Sequence, residues 1–435
     1  MATPPPVGPV IPASPRRGVF ASFEVSQFRW VFASNATFFL GMGGQQVLRS
    51  WLVFRLTGSE LSLGLISAMV AIPMLVVAPF GGSIADRRDR RKLVAFGQSI
   101  VVVGEAVTLL LLVTDRLEFW HLLVMSLIMG TSFPFIMPAR QAIVANVVGR
   151  ARLTNAMALN MAAVNTTRIV GPAVAGFLIG AIGVELAYGL NVALYVLAVL
   201  ALVRVRPAPP TESASLQSFR SNLAEGFAFL GRDRLVLVLL FFGLVPMFLV
   251  MPFQNLLVVF TEDVWQVGPE GLGIMSAAAG AGGLIGAVLV ASRRDSRGRL
   301  RPMLLSTLAF GLFLFLFAIS PWYLLGLPLV LVANIFASYY SAMNSTAVQV
   351  LIPDEVRGRV SAFLMMSFSL PLLGTLPVAA IAEVVGAPAA VAGASILAVL
   401  LGFVFVASSK TLRGMDARLQ SAIRANAGAT GAKAM

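Results

Sequence analysis

The sequence contains no cysteine and a single histidine, His121. Disulfide frameworks, thiolate zinc sites and cysteine-ligated haem or iron–sulfur centres are thereby excluded, and any catalytic or metal site would have to rest on one imidazole. His121 stands beside Trp120, where a helix should meet lipid headgroups, and reads as an interfacial polar tip. Charge is also scarce. Asp, Glu, Lys and Arg make up 12% of the chain, against roughly 25% in a soluble domain whose surface faces water. No G-x-x-x-x-G-K-[ST] phosphate loop occurs, so the chain does not cradle ATP in that manner. The stretch 1–17, with Pro4, Pro5, Pro6, Pro9, Pro12 and Pro15, has no apolar core of signal-peptide type and reads as a disordered tail. These absences exclude a soluble enzyme, and no cofactor or metal is expected.

What is abundant is apolar sequence: 58% of 435 residues are hydrophobic, and the mean hydropathy is +0.88. At about 20 residues per span, this suffices for roughly a dozen membrane-crossing helices joined by short loops. Apolar runs at 28–54, 61–85, 93–113, 119–143, 154–182, 185–203, 235–260, 269–291, 303–319, 322–346, 360–381 and 387–407 predict twelve spans in an all-α polytopic membrane protein. The expected order is a cytoplasmic tail (1–27), a six-helix bundle (28–203), a cytoplasmic linker (204–234), a second six-helix bundle (235–407) and a basic tail (408–435). The linker contains an amphipathic stretch, 219–230, suited to the inner leaflet, and the basic tail is expected to lie there likewise.

The net charge of +13 does not point to nucleic acid, because the basic residues gather in short loops: Arg87, Arg88, Arg90, Arg91 and Lys92, then Arg293, Arg294, Arg297, Arg299 and Arg301. With both termini cytoplasmic, 28 of the 32 Lys and Arg fall on that side or its edge, Arg55 and Arg116 fall outside, and Arg49 and Arg168 lie within spans. This is the positive-inside pattern, and it predicts a bacterial cytoplasmic membrane protein. Trp30, Trp51, Trp120, Trp265 and Trp322 all fall at predicted span ends, as headgroup anchoring requires.

The chain also repeats itself. Ala85-Asp86-Arg87-Arg88-Asp89-Arg90-Arg91-Lys92-Leu93 matches Ala291-Ser292-Arg293-Arg294-Asp295-Ser296-Arg297-Gly298-Arg299 at five of nine positions with an offset of 206. At an offset of 209, Phe39, Met42, Gln45, Leu48, Leu63, Gly64, Ser67 and Ala68 meet Phe248, Met251, Gln254, Leu257, Leu272, Gly273, Ser276 and Ala277. Spans one and two thus correspond to spans seven and eight. Two six-span halves in the same orientation form a parallel repeat, which secondary transporters use to rock one half against the other around a midplane site.

The segment Gly82-x-x-x-Asp86-Arg87-x-x-Arg90-Arg91 resembles the signature between the second and third spans of the major facilitator superfamily. The resemblance covers essentially the whole chain. Leu56-Thr57-Gly58-Ser59, Pro138-Ala139-Arg140-Gln141-Ala142 and Arg168-Ile169-Val170-Gly171-Pro172-Ala173 further resemble its bacterial enterobactin-exporter-like branch. The resemblance implies that Asp86, with Gly82, Arg87, Arg90 and Arg91, latches the cytoplasmic ends of the halves; a basic loop that only sets topology is the alternative. Asp89 stands where many members have glycine, and Ser292 replaces the acid in the second copy, so any charge latch is asymmetric. Gly171-Pro172 resembles the fifth-span antiporter signature and provides a kink or close-packing point. The fourth-span arginine of many proton-coupled members is absent, with Ser126 in its place.

Arg49, Glu105 and Arg168 each cost about 2.5–3.5 kcal/mol at a helix centre and should face a cavity or each other. In the first span Asn35, Phe38, Met42, Gln45 and Arg49 share one helix face. The family resemblance implies a central cavity lined by spans one, four, seven and ten. Asn35, Phe38, Gln45, Gln46 and Arg49 then form one wall, and Gln254, Asn255, Asn334, Tyr339 and Tyr340 the other. The alternative for each amide is an interhelical hydrogen bond. Glu105 and Arg168 are the candidates for proton coupling: Glu105 is the only acid deep in a span, and either carries a proton or pairs structurally with Arg168 or a polar neighbour. The function expected is a monomeric secondary exporter of amphipathic or hydrophobic small molecules, of drug or siderophore type, working by alternating access in exchange for protons. A lipid or lysolipid translocase of the same fold is the alternative, and a non-transporting membrane sensor a third reading.

Overall fold

The computed structural model describes residues 18–207, 231, 233–293, 298–352 and 369–421. Among them there is no strand. The first half comprises α1 (Ser26–Thr57), α2 (Glu60–Arg87), α3 (Arg90–Val113), α4 (Phe119–Gly149), α5 (Ala151–Ile182) and α6 (Val184–Val203). The second comprises α7 (Arg234–Val264), α8 (Gly268–Ala291), α9 (Leu300–Ala318), α10 (Tyr323–Leu351), α11 (Leu370–Val385) and α12 (Ala387–Ser408), followed by a single turn, α13 (Lys410–Arg413). Among the described residues ten of these are long and apolar enough to cross a bilayer. The more polar α1 and the described part of the eleventh span, α11, complete the twelve.

Local chemistry sets the boundaries. α1 stops at Gly58, whose φ of 59° only glycine adopts cheaply, and Ser59 caps α2 by accepting the Ser62 N–H. Asp89 caps α3 by accepting the N–H groups of Arg91 (2.9 Å) and Lys92 (3.3 Å). α4 and α5 run into each other across Gly149 (φ 69°), so the predicted loop 144–153 is almost wholly helical, because that stretch contains no breaker except the glycine. The repeat reappears in the turns. Gly58 and Gly268 (φ 59° and 70°) follow the first helix of each half, and Gly183 and Gly386 (φ 85° and 86°) follow the fifth.

The two halves meet through two helix pairs. Gly64 of α2 packs on Leu376 and Ala379 of α11, and Gly176 of α5 packs on Pro269 and Gly273 of α8. Advancing each helix by six converts one pair into the other, as two-fold related halves require. Gly64 and Gly273, matched in the sequence repeat, are the two crossing points. The apolar core is shared unequally along the axis. At the end remote from the termini a single cluster joins the halves, including Trp51, Leu52, Phe253, Phe260 and Ala379. Toward the termini the core divides into one cluster around Phe28, Ile136 and Tyr195 and another around Leu235, Phe242 and Met343.

Two expectations at the chain's margins are revised. Residues 21–24 form a turn of 3-10 helix, and the Ser22 hydroxyl donates to Asn155 (2.6 Å), so packing begins before residue 28. The C-terminal segment does not simply lie on the leaflet: Leu412, Met415 and Leu419 are buried in the second half. Asp416 accepts the Arg299 N–H (2.6 Å) at the start of α9, and Arg418 pairs with Asp233 (2.6 Å) at the start of α7. The amphipathic stretch 219–230 and the beginning of the eleventh span lie outside the described residues.

Candidate functional site

α1 carries the polar residues singled out from the sequence, and the structure turns most of them inward, toward α3, α4, α5 and α6. Glu105 of α3 is fully buried. Its Oε1 pairs with Arg49 Nη2 (2.6 Å), while Oε2 accepts from Gln45 Nε2 (2.8 Å) and from the Tyr188 hydroxyl. Gln45 Oε1 accepts in turn from Asn191 Nδ2 (2.5 Å), and Arg49 Nη1 reaches Ser126 Oγ (3.4 Å). The partner of Glu105 is thus Arg49 of α1, not Arg168. Ser126, where the family resemblance implies an arginine, receives one from α1 instead.

A second polar cluster lies nearer the termini. Arg140 of α4, counted at the membrane edge in the sequence, is 3% exposed inside the first half. Its Nη1 donates to Asn35 Oδ1, its guanidinium lies 4.2 Å from the Phe38 ring centroid, and Asn35 donates to Asn160 Oδ1 (2.7 Å). The signal that could have found it was present: an arginine inside the predicted span 119–143.

Asn35, Phe38, Gln45 and Arg49 are therefore buried within one half, and Gln46 is the exposed member of the α1 set. In the second half Gln254 donates to Asn334 (3.1 Å) and Asn255 to Thr375 (3.0 Å). The matched Gln45-Gln46 and Gln254-Asn255 pairs do not bond to each other; Gln45, Gln254 and Asn255 bond within their own half. Tyr339 accepts from Arg293 (2.6 Å), and Tyr340 donates to the Phe242 carbonyl (2.7 Å). Of the loop signature, Arg90 donates to Asn146 (3.1 Å) and Arg87 is exposed; Gly82 and Asp86 lie on the last turns of α2, and the packing around them is not among the described features. Trp51 is more than a headgroup anchor, since its indole donates to Glu262 of the other half (3.1 Å). Ser59 and the Leu61 N–H both donate to Glu383 (2.9 Å each), again across the halves at the end remote from the termini.

Proline explains several contacts. Having no N–H, proline leaves the carbonyl four residues before it without its helical partner. Pro172 frees the Arg168 carbonyl, and Gly280 of α8 packs there: a Cβ on Gly280 would sit 2.9 Å from that oxygen. Pro252 frees the Phe248 carbonyl, and Gly374 of α11 meets it; Pro138 frees that of Pro134, and Gly81 of α2 meets it. Pro246 frees Phe242, which accepts the Tyr340 hydroxyl. The Gly171-Pro172 step thus doubles as a contact between halves. Gly171 is also needed for packing on α1, where a Cβ would lie 2.8 Å from the Leu40 oxygen.

A twelve-helix bundle built from two repeated halves, with paired crossings between them, is the architecture of the major facilitator transporters. Residues 17–429 match the family described as transmembrane secretion effector, a branch of that superfamily, and the chain belongs to it. Among curated relatives it is 25% identical over 402 residues to the uncharacterized MFS-type transporter YfiS of Bacillus subtilis (87% of this chain, 91% of that one). It is 24% identical to macrolide efflux protein A of Streptococcus pyogenes (75% and 83%). It is 27% identical to the enterobactin exporter EntS of Shigella boydii (77% and 80%). The fold is similar to that of the nucleoside transporter NupG (TM-score 0.71, 16% identity, 88% of this chain and 98% of that one). It is also similar to that of a bacterial homolog of the human lysosomal transporter Spinster, solved inward-facing and unoccupied (TM-score 0.67, 13% identity, 90% and 98%). The protein is a multi-pass membrane transporter and not an enzyme.

Proposed function

We propose that this transporter is an exporter of the bacterial cytoplasmic membrane that moves amphipathic or hydrophobic small molecules outward by alternating access, in exchange for protons. The observation that carries the reading is the division of the core: one cluster across the halves at the end remote from the termini, two separate clusters at the other. With the termini cytoplasmic, as the basic loops require, the joined end is periplasmic and the cleft between the halves opens to the cytoplasm. A cleft in that state loads from inside. The names of two relatives, a macrolide efflux protein and an enterobactin exporter, support outward movement. Asp86, with Gly82, Arg87, Arg90 and Arg91, would latch the cytoplasmic ends in the opposite state. Glu105 is the proposed proton site, because it is the only acid in the middle of a span and its carboxylate ties together α1, α3 and α6.

Everted membrane vesicles with an imposed proton gradient test this, using a macrolide and a catecholate siderophore as probes. Gradient-driven uptake of either supports the exporter. Uptake of neither, or movement of a fluorescent lysolipid between leaflets in its place, overturns it.

A further inference from the structure

The charges inside the membrane do not balance. Three arginines lie within the spans of the first half, Arg49, Arg140 and Arg168, against one acid, Glu105. The remaining described acids lie in loops or the terminal turns of helices, and the sequence has no Asp, Glu, Lys or Arg in the middle of any predicted second-half span. Glu105 is already taken by Arg49 (2.6 Å), and among the described residues neither Arg140 nor Arg168 has a carboxylate partner. Arg140 is sealed in the protein against Asn35 and Phe38. Arg168 is exposed.

Helix geometry gives the direction in which Arg168 points. At about 100° per residue it lies half a turn from Phe177, whose side chain is exposed on the lipid face of α5. On one side of Arg168, Gly171 and Pro172 pack on Gly43 of α1; on the other, Ile169 and the Arg168 carbonyl pack on Gly280 of α8. The guanidinium therefore projects between α1 and α8, into the cleft between the halves, about halfway along α5. It makes no hydrogen bond or ion pair to any described residue. The α8 surface beside it is small: Gly280, packed on the Arg168 carbonyl, and Gly283, where a Cβ would meet nothing within 4 Å. A cation in the middle of a span without a carboxylate beside it is costly until something negative meets it. Its planar fork of donors fits an oxyanion.

We infer that the cleft takes amphipathic anions, with Arg168 binding the acidic group and the small face of α8 leaving room for the apolar body. Arg140 adds to the positive potential without touching the ligand. The inference deepens the exporter reading and rests on it only for the direction of movement.

The test uses 1-pyrenebutyrate, its primary amide and 1-pyrenebutylamine, three probes of one shape that differ in charge, with binding followed by energy transfer from tryptophan to pyrene. The full-length protein is held in phosphatidylcholine nanodiscs. Expected are at least tenfold tighter binding of the carboxylate than of the amide, loss of that preference in Arg168→Gln with amide binding retained, and its recovery in Arg168→Lys. Equal binding of all three probes, preference for the amine, or a carboxylate preference that survives Arg168→Gln overturns the inference. Nanodiscs containing phosphatidylglycerol separate the two sources of anion: abolition of pyrenebutyrate binding there assigns Arg168 to lipid headgroups and overturns a soluble substrate. Carboxylate-selective binding without transport in vesicles leaves the anion site standing and removes the exporter reading. Transport of the amide without anion preference does the reverse.

Discussion

At the residue scale, Glu105 and Arg49 are held by each other. Removing one partner of a buried ion pair leaves an uncompensated charge at a cost of about 3–5 kcal/mol, whereas removing both charges is often close to neutral. Glu105→Gln is therefore expected to lower the thermal unfolding temperature markedly, and the double variant Arg49→Gln with Glu105→Gln to recover most of the loss. The double variant also separates the proton role from the structural one: if Glu105 carries the proton, vesicles containing the recovered protein no longer respond to an imposed pH gradient. That a buried carboxylate matters was legible from the sequence, since Glu105 is the only acid deep in an apolar run. Its partner was not, because Arg49 lies 56 positions away on a different helix and Arg168 was an equal candidate by depth alone. The same holds for Arg140, whose burial depends on α4 running to Gly149.

At the element scale, recurring pairings of a proline-freed carbonyl with a glycine or hydroxyl on the neighbouring helix shape the bundle. A side chain on Gly374 would collide with the Phe248 carbonyl of α7. Gly374→Ala is accordingly expected to destabilise by about 1–3 kcal/mol, read as a drop in unfolding temperature. Gly283→Ala, which meets nothing within 4 Å, is the matched control and should leave that temperature unchanged. Tyr340→Phe strands the Phe242 carbonyl, a loss of about 1–3 kcal/mol where no other donor reaches it. The sequence shows every proline and glycine involved and predicts kinks at the prolines. It does not show which glycine meets which carbonyl, because that depends on how neighbouring helices tilt and rotate.

At the scale of the whole molecule, the halves are joined at the end remote from the termini. Because the chain contains no cysteine, engineered thiols report without background. Ser59→Cys with Glu383→Cys, joined by a short bis-maleimide, should arrest transport by holding that end closed; either single variant treated alike should remain active. Orientation is checked in the same way. A membrane-impermeant maleimide should label Asp115→Cys in intact cells and Ser421→Cys only after permeabilisation.

The sequence by itself determined the class of protein, the twelve spans, the two-fold repeat and an expected orientation. Each of these depends on local quantities: hydropathy summed over about 20 residues, and basic residues counted loop by loop. Which polar groups are spent within a half depends on packing between helices far apart in the chain. A 32-residue helix such as α1 presents Gln45 and Gln46 on adjacent faces about 100° apart, and only packing against α3 and α6 turns the first inward and leaves the second exposed. Arg49 and Arg168 look alike along the chain; among the described residues the first has a carboxylate partner and the second has none.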